Sequence, residues 1–311
     1  LMFSRSKGFP MFLSRVPAGG YLTVSMVCLL LVSCGKSDDK QDSSIQGQLK
    51  QAMKIQSLRK RSKTLVEIAD RQFEQDDVLG GKATIGLAVD TALEIKGAYE
   101  RGAVLNSTAY AYGKHQLVDK ASDVLKQVSR AVEEVAEADL SAALIGKMAE
   151  IEIRFLDHVN TGNDLFKEAA TAAENAEKPE EKVIAKLNLA FHLDRLKRVE
   201  PRDDLVDQAF EVLEQIPDDR QRTDVTGDMA SRLVQMQCLE QSKRAFELAE
   251  TYAATIAEPL SQGYALCEIS DRLRRAEQSA GAERVLAKAR QVAEKVTDQG
   301  LRKELINRLA Q

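Results

Sequence analysis

The sequence contains no tryptophan, and aromatic residues make up only 5% of its 311 positions. Six prolines interrupt it, and no segment alternates apolar and polar residues long enough to form a β-strand. Alanine, leucine, glutamate, lysine, arginine and glutamine are abundant instead, and these residues favour α-helices. With 44% hydrophobic and 30% charged residues, the composition indicates a folded, helical chain with a substantial core.

Residues that carry catalysis or bind metals are also sparse. The three histidines, His115, His158 and His192, have no other histidine or cysteine within helical spacing, so no metal site is predicted. The segment 80–83 (GGKA) lacks the upstream glycine and the hydroxyl residue of a phosphate-binding loop. Because no recognisable set of nucleophile, base and acid occurs, we expect a protein that is not an enzyme and needs no cofactor.

The charge of the chain does not favour nucleic acid as a partner. The net charge is −4, and residues 1–33 hold three basic and no acidic residues, so the remainder carries −7. Lysine and arginine do not form a block with interleaved aromatic residues. A general affinity for nucleic acid is therefore not expected.

Twelve uncharged, mostly apolar residues (YLTVSMVCLLLV) follow Arg15 at positions 21–32. This run has the length of the apolar part of a signal peptide and is too short to span a bilayer, which takes about 20 residues. It ends in LVSC at 31–34, which resembles the lipobox of bacterial lipoproteins. The resemblance implies cleavage before Cys34, acylation of Cys34 with fatty acids such as palmitate, and attachment to a membrane. An ordinary secretory signal and a transmembrane anchor are the alternatives.

The amino-terminal residues thus predict a lipoprotein signal peptide at 1–33 and, at 34–44, a polar flexible tether. The folded domain is expected at 45–311. By analogy with lipoprotein sorting, the lack of an aspartate directly after Cys34 favours the outer membrane, on its periplasmic side, in a Gram-negative cell envelope.

A repeat of forty residues accounts for most of the predicted domain. Four blocks that begin at residues 140, 180, 220 and 260 align without a gap. Their thirtieth position is always alanine, at Ala169, Ala209, Ala249 and Ala289. Their fourteenth position is always aliphatic, at Ile153, Leu193, Leu233 and Leu273. The register extends backwards and predicts units near 59–98, 99–139, 140–179, 180–219, 220–259 and 260–299, with a half unit at 300–311.

Each unit holds two helical patterns, the first about eighteen residues long, with apolar residues three and four apart. We expect the turns between them at 160–163 (NTGN), at Pro201 and at 279–281 (SAG), with Asp164 and Asp204 capping the second helices. Because one hairpin cannot bury its apolar face alone, neighbouring units must stack. The predicted fold is all-α, a right-handed α-solenoid of about six antiparallel hairpins with a carboxyl-terminal capping helix.

Over residues 59–311 the pattern resembles the tetratricopeptide-type (TPR-like) superfamily, although its unit has forty residues rather than 34. Armadillo and HEAT repeats have the right length and remain open alternatives. The resemblance implies that the first helices line a concave surface, where positions 13 and 16 share a face. The candidate partner-binding residues there are Phe155, His192, Arg195, Arg232, Arg272 and Arg275.

In the carboxyl-terminal half these residues form a basic ladder, which suits an acidic peptide, a carboxylate or a phosphate-bearing glycan. A solvated, arginine-rich helix face is the alternative. We expect Arg232→Glu combined with Arg272→Glu to weaken partner binding without loss of helicity. Cys238 and Cys267 differ by eleven residues in register, roughly 16 Å along parallel helices, which exceeds the reach of a disulfide; they are predicted to be core residues.

The sequence therefore predicts a membrane-anchored, extracytoplasmic scaffold that docks a protein or peptide of unknown identity. The alternative is a structural or self-associating envelope spacer without a specific ligand in the groove. In both cases Cys34 would carry the lipid.

Overall fold

A computed structural model describes residues 44–310, which form fourteen α-helices and no strand. Helix α1 (Ile45–Met53) precedes the repeats. The first helices of the units are α2 (Leu58–Glu74), α4 (Ala98–Lys114), α6 (Ala138–Phe155), α8 (Pro179–Arg195), α10 (Asp219–Gln235), α12 (Pro259–Arg275) and α14 (Gln299–Leu309). The second helices are α3 (Val78–Leu93), α5 (Val118–Glu134), α7 (Val159–Glu174), α9 (Val199–Leu213), α11 (Leu239–Thr255) and α13 (Ser279–Ala293).

Each first helix from α2 to α12 packs most closely on the second helix that follows it, which gives six antiparallel hairpins. Helix α14 has no second helix among the described residues and packs on α12 and α13, so it closes the end of the stack. The predicted all-α solenoid of six hairpins with a capping helix is confirmed. The predicted signal peptide, Cys34 and the tether up to residue 43 lie outside the described residues. No helix within 44–310 is long and apolar enough to cross a membrane.

The two helices of every hairpin are joined by the same tight turn. One residue in each turn has a φ near +60° and none of them is glycine: Asp76, Gln116, Asp157, Lys197, Gln237 and Glu277. The amide that follows donates back to the end of the first helix, as from Arg198 to the Leu193 carbonyl at 3.0 Å. This pairing satisfies carbonyls that a helix end otherwise leaves without a partner.

The predicted turn positions are wrong, because the turns lie two or more residues earlier. The segments 160–163 and 279–281 and Pro201 belong to the first turns of α7, α13 and α9. Proline is tolerated there because the opening amides of a helix have no intrahelical partner. Asp164 and Asp204 consequently lie inside helices rather than at their amino-terminal caps.

Gly162 and Gly81 serve close packing rather than chain reversal. A Cβ atom on Gly162 would lie 2.4 Å from Cγ1 of Ile153 on the preceding helix. In the first hairpin, a Cβ atom on Gly81 would lie 2.6 Å from the Phe73 ring. A small residue at this position lets the second helix approach the first one.

The aligned apolar columns form the core. Ala169, Ala209, Ala249 and Ala289 are all fully buried, as are the tenth-position residues Ala149, Leu189, Met229 and Ile269. Cys238 and Cys267 are buried and unpaired, so their predicted role as core residues is confirmed. Residues at the same position of successive units have the same environment, because every hairpin packs against its neighbours in the same way.

Successive first helices pack directly on one another, whereas the second helices pack mainly on the first helices of their own and the following unit. The first helices are therefore the more closely spaced layer. We call the exposed side of the first-helix layer the inner face and the exposed side of the second-helix layer the outer face.

Candidate partner-binding site on the inner face

A fully buried carboxylate lies where α6 meets α8. The Glu150 side chain has no exposed surface, and the helical period places Lys147 and Arg154 one turn away on either side of it. Helix α8 contributes His192 and Arg195 from the next unit. Four potential hydrogen-bond donors therefore converge on one carboxylate.

The distances match a fully satisfied anion. Oε2 of Glu150 lies 2.8 Å from Nζ of Lys147 and 2.8 Å from Nδ1 of His192. Oε1 lies 3.1 Å from Nε of Arg195 and 3.5 Å from Nη1 of Arg154. A buried charge is stable only with such partners, since desolvation otherwise outweighs the Coulomb attraction.

The donors determine the protonation states. Burial alone would raise the pKa of Glu150, but the hydrogen bonds from His192 and Lys147 outweigh it and lower the pKa to about 2. Burial lowers the pKa of His192 despite the neighbouring carboxylate. His192 is therefore neutral at pH 7 and donates its Nδ1–H to Glu150. Burial also lowers the pKa of Lys147, against the attraction of Glu150.

An aromatic residue from a third unit completes the arrangement. Nη2 of Arg195 donates to the Tyr110 hydroxyl at 2.7 Å, and Nζ of Lys147 lies 4.1 Å from the centre of the Tyr110 ring. The Phe155 ring meets Tyr110 edge to face, with centroids 4.8 Å apart. A cation that lies over an aromatic ring is attracted by the electron-rich face of that ring, which stabilises Lys147 in this position. We call this group the Glu150 cluster; it comprises Tyr110, Lys147, Glu150, Arg154, Phe155, His192 and Arg195.

The cluster has more cations than anions. Lys147, Arg154 and Arg195 surround a single carboxylate, and their side chains are 18%, 40% and 30% exposed. Their remaining donors are held in fixed positions next to aromatic surface. The arrangement can accept a carboxylate or another planar anion from solution, because guanidinium groups bind such groups through paired hydrogen bonds.

The structure brings three of the predicted site residues together, Phe155, His192 and Arg195, and places the other three elsewhere on the inner face. Arg232 donates to the Asn188 side chain at 2.6 Å. Arg272 pairs with Asp228 at 2.8 Å. Arg275 is exposed and has no hydrogen bond or ion pair within residues 44–310.

A second polar contact joins α10 to α12. Arg220 lies 2.7 Å from Glu268 and 3.2 Å from Asp224. Burial and the adjacent Glu268 carboxyl raise the pKa of Asp224 to about 6, although Arg220 opposes them. This contact has no surplus of cations, unlike the Glu150 cluster.

Four members of the cluster were not predicted from the sequence: Tyr110, Lys147, Glu150 and Arg154. The three- and four-residue spacings around Glu150 place its α6 neighbours on one face, which is a readable pattern. The contribution of Tyr110 comes from the divergent second unit, which is one residue longer than the others, so the register does not align it.

Within residues 44–310, no group of three or more histidine, cysteine, aspartate or glutamate residues could hold a metal ion. The candidate site therefore consists of side-chain charges and aromatic surface.

No protein-family model matches the sequence, and no curated protein is similar to it. Solved structures that are similar include Ton1535 from Thermococcus onnurineus NA1, with 16% identity and a TM-score of 0.34 over 85% of this chain and 83% of that chain. BtubC (BKLC) from P. vanneervenii has 16% identity and a TM-score of 0.34 over 82% of this chain and 92% of that chain. A putative kinesin light chain with nearly identical TPR-like repeats from Podosopora anserina has 14% identity and a TM-score of 0.35 over 65% of this chain and 98% of that chain. The hairpin packing of this chain is that of an α-solenoid.

Proposed function

We propose that the protein is a lipid-anchored scaffold of the bacterial cell envelope that docks an acidic segment of a partner protein on its inner face. The observation that carries the proposal is the surplus of positive charge at the Glu150 cluster, on a chain whose net charge is −4. A partner that binds there replaces water around cations whose positions are already fixed, so little ordering entropy is lost on binding.

The binding part of the proposal is tested with Arg154→Gln. Arg154 makes the longest contact with Glu150, 3.5 Å, and is the most exposed of the three cations, so its loss leaves the buried carboxylate bonded. Affinity purification of the full chain from detergent-solubilised membranes should recover less partner with this variant. The matched control is Arg130→Gln, which removes an exposed arginine from α5 on the outer face.

The same purification with Arg275→Gln shows whether the binding surface extends along the predicted ladder. Loss of partner with Arg154→Gln alone restricts the site to the cluster, and loss with both variants extends it to α12. Equal recovery with wild type, Arg154→Gln and Arg130→Gln, at unchanged helicity by circular dichroism, would show that the cluster is only a structural ion network.

The anchoring part rests on the LVSC sequence at 31–34. Because acylation requires the Cys34 thiol, Cys34→Ser should abolish incorporation of labelled palmitate and release the chain from the membrane fraction. Cys28→Ser, within the same apolar run, is the matched control and should retain both. Palmitate labelling that persists in Cys34→Ser would refute the lipoprotein assignment. Separation of inner and outer membranes then tests the expected location in the outer membrane.

A further inference from the structure

The outer face of α3 carries exposed leucines. Leu79, Leu87 and Leu93 are 82%, 42% and 46% exposed, and Ala83 between them is exposed as well. These residues recur at intervals that keep them on the solvent side of one helix. Exposed leucines occur singly on most proteins, whereas a continuous apolar strip indicates a contact surface.

The equivalent faces of the next three second helices are polar. At the positions of Leu79, Leu87 and Leu93, the residues are Asp119, Gln127 and Glu133 in α5, Asn160, Glu168 and Glu174 in α7, and Glu200, Gln208 and Glu214 in α9. All of these helices occupy the same place in their hairpins, so the fold itself does not require leucine there. The leucines of α3 need a separate explanation.

Gly86, at the middle of the strip, has no packing role within the chain. A Cβ atom on Gly86 would meet no atom closer than the Tyr112 hydroxyl oxygen, 3.9 Å away. A glycine inside a helix destabilises it relative to alanine. This glycine therefore differs from Gly81, where a Cβ atom would lie 2.6 Å from the Phe73 ring.

Four residues of this face are placed symmetrically about Gly86. Lys82 and Asp90 lie four residues before and after it, and Leu79 and Leu93 lie seven residues before and after it. Offsets of four and seven return to nearly the same side of an α-helix. Neither Lys82 nor Asp90 has an ion-pair partner within residues 44–310.

We propose that two copies of the chain associate through this strip, with their α3 helices antiparallel about a two-fold axis at Gly86. Leu79 of one copy then packs against Leu93 of the second copy, and Lys82 pairs with Asp90 of the second copy. A two-fold interface needs such a self-complementary patch. The absence of a side chain at Gly86 lets the two helices approach closely at the axis.

One helix face buries less than the roughly 800 Å² per partner of a standard interface, so the dimer is weak in dilute solution. The lipid anchor proposed above confines both copies to one membrane, which raises their effective concentration and favours the dimer there; this step rests on that proposal. This inference does not depend on the Glu150 cluster, which lies in the other layer.

The position of the axis is tested by cysteine crosslinking of the full chain in membranes under mild oxidation. Gly86→Cys places a thiol at the axis, where it meets its own copy, and should give at least ten times more covalent dimer than Lys126→Cys. Lys126 is the equivalent residue of α5 and is exposed as well. Crosslinking of Gly86→Cys no stronger than that control would overturn the proposal.

The register is tested by exchange of charges, with sedimentation equilibrium of the full chain in detergent. Lys82→Asp and Asp90→Lys should each weaken the dimer several-fold. Each change places two charges of the same sign opposite each other at both symmetric 82–90 contacts of the dimer. The double variant should restore it, and failure to restore it would rule out the antiparallel register. Gly86→Gln should give a monomer whose melting temperature is no lower than that of the wild type, since a glycine inside a helix is destabilising, and this separates loss of association from loss of folding.

Two further outcomes would identify another occupant and refute the proposal. The first is a crosslinked product whose mass is not twice that of the chain. The second is a Cys34→Ser chain that stays monomeric, floats with phosphatidylethanolamine and phosphatidylglycerol vesicles, and loses flotation in Leu79→Glu. That result would place a lipid surface on the strip.

Discussion

Two carboxyl groups on the inner face have pKa values that are shifted in opposite directions. Glu150, between α6 and α8, is fully buried and has a pKa of about 2, whereas Asp224, between α10 and α12, is 38% exposed and has a pKa of about 6. Burial raises the pKa in both places. The difference comes from the neighbours, since cations outnumber the carboxylate at Glu150 and a second carboxyl, Glu268, accompanies Asp224. The local balance of charge, rather than depth, decides whether a buried acid is ionised.

The largest expected effect is the loss of the buried anion. Glu150→Gln leaves Lys147 and Arg195 without their counter-charge, and removal of one member of a buried ion group costs about 3–5 kcal/mol. Urea denaturation followed by circular dichroism measures this change in the free energy of unfolding. Glu268→Gln, in the half-exposed contact, should cost less than about 1 kcal/mol. Equal losses would remove the distinction between the two regions.

Acid should destabilise the protein through the Glu150 region, as Glu150→Gln does. The folded pKa is lowered from 4.5 to about 2, so the stabilisation is complete above pH 4.5 and is lost as the pH falls towards 2. The shift corresponds to about 3 kcal/mol at 1.36 kcal/mol per unit. The free energy of unfolding of the wild type should therefore fall more steeply below pH 4.5 than that of Glu150→Gln. Parallel curves would contradict the assignment.

A change in the turns should affect both regions alike. Lys197 and Gln237 have φ values of 59° and 58°, a conformation that costs a residue with a side chain about 1–2 kcal/mol. Lys197→Gly and Gln237→Gly should each stabilise the protein by up to about 1 kcal/mol, since the greater freedom of glycine in the unfolded chain offsets part of the gain. Lys167→Gly, inside α7, is the control of opposite sign and should destabilise by about 1 kcal/mol. Melting temperatures measure all three.

The smallest expected effect is at Asp224. Its folded pKa is raised from 3.8 to about 6, so the folded state holds the proton more tightly, and the resulting stabilisation is lost as the pH rises from 3.8 to 6. Asp224→Asn removes the repulsion with Glu268 at pH 8 and changes little at pH 4. We expect a gain of a few tenths of a kcal/mol at pH 8, because the group is partly exposed. A lower melting temperature of the variant at pH 8 would show that Arg220 outweighs Glu268.

The sequence was sufficient for the fold because the same environment recurs every forty residues. The alanines at 169, 209, 249 and 289 occupy the same buried position in four successive units. Alignment of the sequence with itself is enough to reveal that regularity. Turn positions were misplaced because Gly162 and Pro201 were interpreted as breakers, whereas the actual turn residues, such as Lys197 and Gln237, carry no compositional mark of a positive φ.

The site was only partly predictable for a different reason. Helical spacing groups residues on one helix, and it correctly placed His192 and Arg195 on one face of α8. Their shared partner, Glu150, lies on another helix, 42 residues before His192, and contacts between units leave no trace in the spacing of one sequence.

The unequal spacing of the two layers has a mechanical consequence. Neighbouring units meet chiefly through their first helices. The first-helix layer therefore resists compression, whereas the second helices of neighbouring units separate more easily. Bending that separates the first helices stretches bridges between units such as Arg272 to Asp228, whereas bending in the opposite direction separates second helices, which share few contacts with one another. The layer of second helices should therefore be the one that opens first when the stack is bent.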